Sequence, residues 1–588
     1  MMIRDRRWGA RALTLVCAAS LALAGCSSTD PSEPAAATTG SVAEVLGAKS
    51  ASAGAPGESG GGDAESYVPT GDIVADSGFR PDADGFSFAN YGNDGGPQNM
   101  LPGNVERLFG TQVCISGSGE DCVLTPAAQS WMDTENENMA GGHCMGFSVA
   151  SLRLYAETLT TEDFGGEVTH DLELMDNIAL QSTVAESFVY QGLQSVLDQQ
   201  FTGTPTEVVE KLIELLDAGE DTYTLGFYKR DGSGGHAMTP FAVEDKGNGQ
   251  MAILVYDNNY PDTIQAMEID TNANTFRYVG APNPDVEPDV YDGDATTIPL
   301  ELIPTTPGEA EQGCPFCDAE LVEQGEGKGS VLSAADRYTE ISLTGDPANH
   351  PRLLLTTDDG SQAGFVDGRL VQDIPGVQVV RQWADDPSLG GPEPKFRIPA
   401  GTSVNVTIDG SDLTQTSEDL NLNFSGDGKV ISAEDFSMEP GQVDEMYVAA
   451  GDTVNIVYTT NAEDGVAPTF FAGVDEQDAS YTLGATAVGL EKGSQLGFVI
   501  LQDSGQVLFD TSDATGADGT VTVIAVIGKL DESAVEQVWL AGEILVDTTA
   551  REDVYLNYKD QELTAGQPIT LEVGPEDGPY RLVEAAFQ

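Results

Sequence analysis

The spacing of apolar positions changes along the chain. Residues 149–159 are apolar on most sides, which predicts a buried helix. A second helical run covers 183–199. Thr204-Pro205-Thr206-Glu207 joins a capping box to a proline in the first turn, so a third helix is expected over 207–217, stopped by Gly219. The period then falls to two. Residues 222–229 read as a strand. Residues 235–243 and 251–256 read as a hairpin through Lys246-Gly247-Asn248-Gly249, and 262–279 as another through Asn272-Ala273-Asn274. Helices first and an antiparallel sheet after predict an α+β domain over 67–329, with a cleft between the two layers. From about Ser330, short alternating strands recur at ~8–12-residue intervals, as in 352–357, 403–408, 453–459, 496–502 and 520–527. No sequence repeat stands out. The rest of the chain is therefore expected to be all-β, two β-sandwich-like domains over 330–462 and 463–588.

The first 66 residues do not fit this scheme. Arg4, Arg6, Arg7 and Arg11 precede an apolar run at 12–24. That run is too short to cross a bilayer core of ~30 Å, but it suits a signal peptide. It ends in Leu23-Ala24-Gly25-Cys26, which resembles the bacterial lipobox. The resemblance implies a signal peptide over 1–25 and a lipid on Cys26. The protein would then sit in the bacterial cell envelope, lipid-anchored and facing the exterior or periplasm. Residues 26–66 are rich in Ser, Ala, Gly, Thr and Pro and read as a flexible linker. No other stretch approaches the ~20 apolar residues of a spanning helix. The chain carries 26 Lys+Arg against 96 Asp+Glu, a net charge of −70. Such a charge repels phosphate backbones, so no nucleic-acid partner is expected, and membrane contact has to come through the lipid. It attracts cations, which leaves Ca²⁺ on the acidic surface as an option.

Seven cysteines divide unevenly. Cys17 lies in the signal peptide and Cys26 takes the lipid. In an oxidising compartment the others are expected to pair where they can. Cys114 and Cys122 flank a Gly-Ser loop and should form one disulfide. Cys314-Pro315-Phe316-Cys317 is a CxxC in an acidic, loop-like stretch without a βαβ pattern, which favours a structural disulfide over a redox dithiol. Cys144 is left over, a reactive-thiol candidate.

The surroundings of Cys144 sharpen that reading. It follows Gly141-Gly142-His143 and opens the apolar run at 149, so it belongs near a helix N-terminus, where the dipole favours an anionic sulfur. A small buried core cysteine is the competing reading. His236 opens the first strand of the 235–256 hairpin. With the loop at 246–249, paired residues sum to 495, and His236 falls opposite Asn259, with Asp257 and Asn258 one or two positions away. An acid or amide there can accept the Nδ1 proton and leave Nε2 to take a thiol proton. His143 adjoins Cys144 and does not face it. His170 and His350 lie in polar stretches, and no metal-ligand spacing such as HExxH occurs, so no catalytic metal or other cofactor is expected. Asn423, Ser425, Asp427, Gly428 and Glu434 occupy EF-hand-like offsets, but the alternation of Leu420, Leu422 and Phe424 favours a hairpin.

The order Cys at a helix start, His opening a strand, then Asp or Asn closing the next strand resembles the papain-like cysteine peptidase superfamily. Its bacterial C39-like type, in which Gly-His-Ala precedes a strand, is the nearest in pattern. The resemblance covers about 67–306 and is specific at two motifs, 141–148 and 234–259. It implies a papain-like fold with Cys144 as nucleophile, His236 as base and Asp257 as the orienting residue, Asn258 being the alternative. It also implies an amide side chain ahead of the Cys at the oxyanion; Asn138 fits, with Asn136 as second choice. Met145 stands where the family often has an aromatic. The function expected is a lipid-anchored thiol hydrolase acting on a protein or peptide through an acyl-enzyme, with acyl transfer and amidase work as variants of the same chemistry. The alternative is a catalytically silent surface lipoprotein that uses the same scaffold and the β part for adhesion.

Overall fold

A computed structural model describes residues 65–93, 96–230, 235–280, 289–317, 332, 336–345, 349–366, 369–381, 394–426, 429–449, 454–459, 467–475, 479–488, 490–501, 505–516, 519–531, 537–558, 569–575 and 581–585. The stretch read as a signal peptide, Cys26 and the stretch read as a linker, as far as residue 64, lie outside the described residues.

The first half has five longer helices: α1 (Pro102–Phe109), α2 (Pro126–Asn138), α3 (Cys144–Tyr155), α4 (Ile178–Phe188) and α5 (Pro205–Ala218). Its strands are β1 (Asp72–Asp76), β2 (Phe201–Gly203), β3 (Tyr223–Tyr228), β4 (Gly235–Gly247), β5 (Gln250–Tyr256), β6 (Gln265–Asp270), β7 (Thr275–Gly280), β8 (Asp289–Asp294) and β9 (Leu300–Pro304). They form one antiparallel sheet in the order β8-β7-β6-β5-β4-β3-β9-β2, and β1 pairs with the far end of β4. Helix α3 is buried along almost its whole length, as its all-round apolar sequence requires. It lies against α4 so closely that a Cβ on Gly146 would meet the Val184 carbonyl oxygen at 2.2 Å. Helix α5 begins with the capping box of Thr204 and Glu207 and ends at Gly219 in the left-handed region.

The His-bearing hairpin turns more tightly than expected. Its loop is the two residues Asn248-Gly249, both at positive φ, with Gly247 opposite Gln250. Two irregularities in β4, near residues 241 and 246, each take up one residue. The register therefore returns to Pro240–Val255 and Thr239–Tyr256 at the site end, where paired residues again sum to 495.

The second half is two facing antiparallel sheets of nine and eleven strands over one continuous core. The boundary expected at 462/463 is crossed in both. Lys429–Met438 pairs with Thr469–Asp475 in one sheet, and Val454–Thr459 with Gln495–Leu501 in the other. Two separate sandwiches would need those edges to be apart. Strand pairs alternate between the sheets: 417–438 in the first, 443–459 in the second, 469–488 in the first, 495–510 in the second, 520–547 in the first. Gly441, Gly493 and Arg551 take positive φ at successive crossings from the first sheet to the second. The second half thus repeats in structure where no repeat was read in the sequence. The EF-hand-like stretch is a hairpin, with Asn423 paired to Ser432; positions 427 and 428 lie outside the described residues.

The two halves meet along α2. Pro126 and Ala127 pack against Gly473. Val430 belongs to the same core cluster as Cys144 and Met145. Lys395, 3% exposed, is paired with Glu135 and lies 3.4 Å from Glu340. Arg397 Nε donates to Glu340 at 2.7 Å.

Candidate active site

Cys144 is the first residue of α3, and His143 is its N-cap. The chain reaches this point from α2 through Gly141-Gly142. Cys144 lies outside both disulfides, which join Cys114 to Cys122 and Cys314 to Cys317 as expected. Cys114 and Cys122 also lie near Glu106 in a grouping of metal-ligand types, but their sulfurs are bonded to each other.

His236 and Asp257 come together. His236 Nε2 lies 2.8 Å from Asp257 Oδ1, with both side chains essentially fully buried. This reverses the expected ring orientation: Nε2, not Nδ1, faces the carboxylate. Asp257 is held from two further sides. The Asn259 backbone N–H donates to Oδ1 at 2.9 Å, and the Tyr278 hydroxyl donates to Oδ2. Burial, then the charge of Asp257, raises the Tyr278 phenol well above its ordinary pKa, so it stays a donor. Asn259 Nδ2 lies 3.4 Å from His236 Nε2. The aromatic floor under the imidazole is Phe227, edge-on at 5.8 Å.

Asn258 does different work from the orienting role held open for it. Its Nδ2 donates to the Cys144 carbonyl at 3.1 Å and to the Ala237 carbonyl at 3.0 Å. It therefore ties the first residue of the Cys helix to the residue after His236. Its own carbonyl accepts from Asn90 N at 2.8 Å, and Asn90 Oδ1 accepts from His143 N at 2.8 Å. One turn into α3, Ser148 Oγ lies 2.8 Å from both Thr224 and Thr239, which fastens the helix to β3 and β4.

His143 is a separate buried group. Nδ1 lies 2.6 Å from the Tyr91 carbonyl and Nε2 2.9 Å from Asn99 Oδ1, with the Tyr91 ring at 4.4 Å. Burial pushes its pKa down to about 4, against the opposing pull of the Tyr91 carbonyl. It faces away from His236 chemistry, as its adjacency to Cys144 suggested. His170 bonds Asp262 at the surface.

The amide candidates for an oxyanion do not converge on Cys144. Asn138, half-buried at the end of α2, turns its Nδ2 to Glu135 at 3.4 Å. Asn136 brackets the backbone of Met100, accepting from its N–H at 3.0 Å. The sequence reading missed Tyr278, Asn90 and the tie made by Asn258. Tyr278 could be found only by carrying the register across two further strands. Asn90 sits in a loop with no pattern to flag it.

The chain matches no protein-family model, no curated protein and no solved structure with which it was compared.

Proposed function

We propose that the first half is a thiol hydrolase of papain-like type. The single observation behind this reading is the His236–Asp257 pair, buried at 2.8 Å and tied through Asn258 to the helix that begins with Cys144. In this reading His236 Nδ1 takes the thiol proton, and Asp257 accepts from Nε2 and stabilises the imidazolium. The sulfur then attacks an amide or ester carbonyl, the leaving group takes the proton from His236, and water releases the acyl group from Cys144. Backbone N–H groups of the first turn of α3 are the proposed oxyanion donors, with Asn138 as an added amide only if it turns away from Glu135. The substrate proposed is a protein or peptide, outside the cytoplasm, with the chain lipid-anchored through Cys26; no metal or organic cofactor is required by this chemistry.

The burial of Cys144, fully enclosed here, favours the second reading, a silent surface-binding protein on the same scaffold. A nitrophenyl acetate burst separates the two. A hydrolase gains one acetyl group on Cys144 with stoichiometric nitrophenolate release, lost in Cys144→Ser and strongly slowed in His236→Ala. A silent scaffold shows neither burst nor acetylation.

A further inference from the structure

Tyr278 points inward from β7, into an aromatic wall with Phe227, Phe276 and Tyr291. Its ring meets Phe227 edge-on at 5.5 Å. Phe227 in turn meets Tyr291 at 5.2 Å and the His236 imidazole at 5.8 Å. Four strands separate β3 from β8 in the sheet order, so a contact between Phe227 and Tyr291 requires the sheet to curl around these rings. Charge holds the curl closed. Lys229 Nζ donates to Asp289 at 2.7 Å, and Arg230 donates to Asp292 and Asp294, each at 2.8 Å.

A phenylalanine would fill the place of Tyr278 in this wall. The hydroxyl is the part that packing does not explain, and burying it costs free energy unless it is hydrogen-bonded. Its partner is Asp257 Oδ2. Asp257 is fully buried, and the torsion that turns its carboxylate is broad and two-fold, so the plane is fixed only by contacts on both oxygens. Oδ1 faces His236 Nε2 at 2.8 Å and accepts from the Asn259 N–H at 2.9 Å. Both of those contacts fall on one oxygen. Among the described residues the Tyr278 hydroxyl is the one donor to Oδ2.

We propose that Tyr278 is a positioning residue of the active site: by fixing the plane of the Asp257 carboxylate it fixes the imidazole of His236. The proposal rests on the reading of His236 as the base. Tyr278 acts through Asp257 and takes part in no bond-making step.

The test is Tyr278→Phe in the full chain, isotope-labelled at histidine. The Nε2 proton of His236 is followed by nuclear magnetic resonance and assigned by its absence in His236→Asn. Its exchange with solvent is expected to quicken about 10-fold or more, because the carboxylate that holds it is free to turn. Backbone amides of β4 and β5 should exchange as before, which a general loosening of the fold would not allow. Acetylation of Cys144 by nitrophenyl acetate should slow by a similar factor and still reach one acetyl group per chain. Ring exchange within twofold of the unmodified chain overturns the proposal. Faster ring exchange in Tyr278→Phe, with no acetylation of the unmodified chain, upholds the positioning of His236 and overturns the hydrolase reading instead. If Tyr278→Phe does not fold, the unmodified chain decides. Its Tyr278 hydroxyl proton must give a slowly exchanging downfield resonance that moves in Asp257→Asn, and absence of that resonance overturns the proposal.

Discussion

Replacing Asn258 by alanine removes the link between the Cys144 helix and the His236 strand without touching either side chain. Two hydrogen bonds go, at 3.1 and 3.0 Å, both in a fully buried setting. The Cys144 carbonyl keeps its place in the helix ladder, so it is not left stranded. The loss then lies near the ordinary net value of about 1 kcal/mol per bond, roughly 2 kcal/mol together. Cys144 is fully buried, so a thiol reagent reaches it through local opening. If the opening becomes about 2 kcal/mol easier, native-state alkylation speeds up by about 30-fold. The assay is alkylation by iodoacetamide followed by mass spectrometry, with urea unfolding alongside to show that the rest of the chain stays folded. Asn258→Asp should be worse, because it turns an oxygen toward two carbonyl oxygens. An alkylation rate within twofold of wild type in Asn258→Ala would refute the idea that this side chain holds the two elements together.

Three other outcomes follow from the same geometry. Burial, more than the Arg381 charge can offset, raises Glu301 to about 7, above its ordinary value near 4.5. The folded protein then holds a proton that the unfolded chain has lost, so stability falls as pH rises from about 4.5 to 7. Glu301→Gln should gain about 3 kcal/mol relative to wild type at pH 8 and nothing at pH 4, measured by urea unfolding. His143 works in the opposite sense. Its folded value of about 4 lies below 6.5, so the neutral form is kept while the unfolded chain takes a proton; stability falls by about 3 kcal/mol as pH drops from 6.5 to 4, and His143→Asn should flatten that slope. Lys395→Met leaves Glu135 buried without its cation and should cost about 3–5 kcal/mol, much of it restored in Lys395→Met/Glu135→Gln; equal stabilities of the single and double variants would show the pair is not the source.

What could be read from the residues was mostly local. Gly141-Gly142 before an apolar run places Cys144 at a helix start, and alternation on either side of Lys246-Gly247-Asn248-Gly249 places His236 opposite Asn259, with Asp257 and Asn258 one or two positions away. Both disulfides followed from spacing. The capping box and Gly219 fixed the ends of α5 closely because caps act within one turn. The readings that needed long-range information fared differently. The two irregularities in β4 cancel the effect of a shorter turn, so the register at the site came out as counted although the loop did not. The ring orientation of His236 depends on Asp257, Asn259 and Tyr278 together. Tyr278 lies on the third strand from β4, too far along the chain for a pattern to announce it. In the second half each strand alternates in the same way whichever sheet it joins. The sequence therefore shows strands and turns but not that the sheets run unbroken past residue 462, which is set by the pairing of Lys429–Met438 with Thr469–Asp475. Asn138 has the right residue type and spacing for an oxyanion donor, but an i−3 neighbour, Glu135, captures its amide first.

The proposed Cys–His pair is tested most directly by the ultraviolet absorbance of the thiolate as pH is varied. The signal is taken as native protein minus Cys144→Ser, and repeated in His236→Ala. Absorbance needs no reagent to enter the site, so burial does not obscure it. The account predicts that the Cys144 thiolate appears with a midpoint well below the ~8.5 of an ordinary thiol and that removing His236 moves it upward. A midpoint at or above ~8.5, unchanged in His236→Ala, would contradict it and leave Cys144 as a core residue of a binding scaffold.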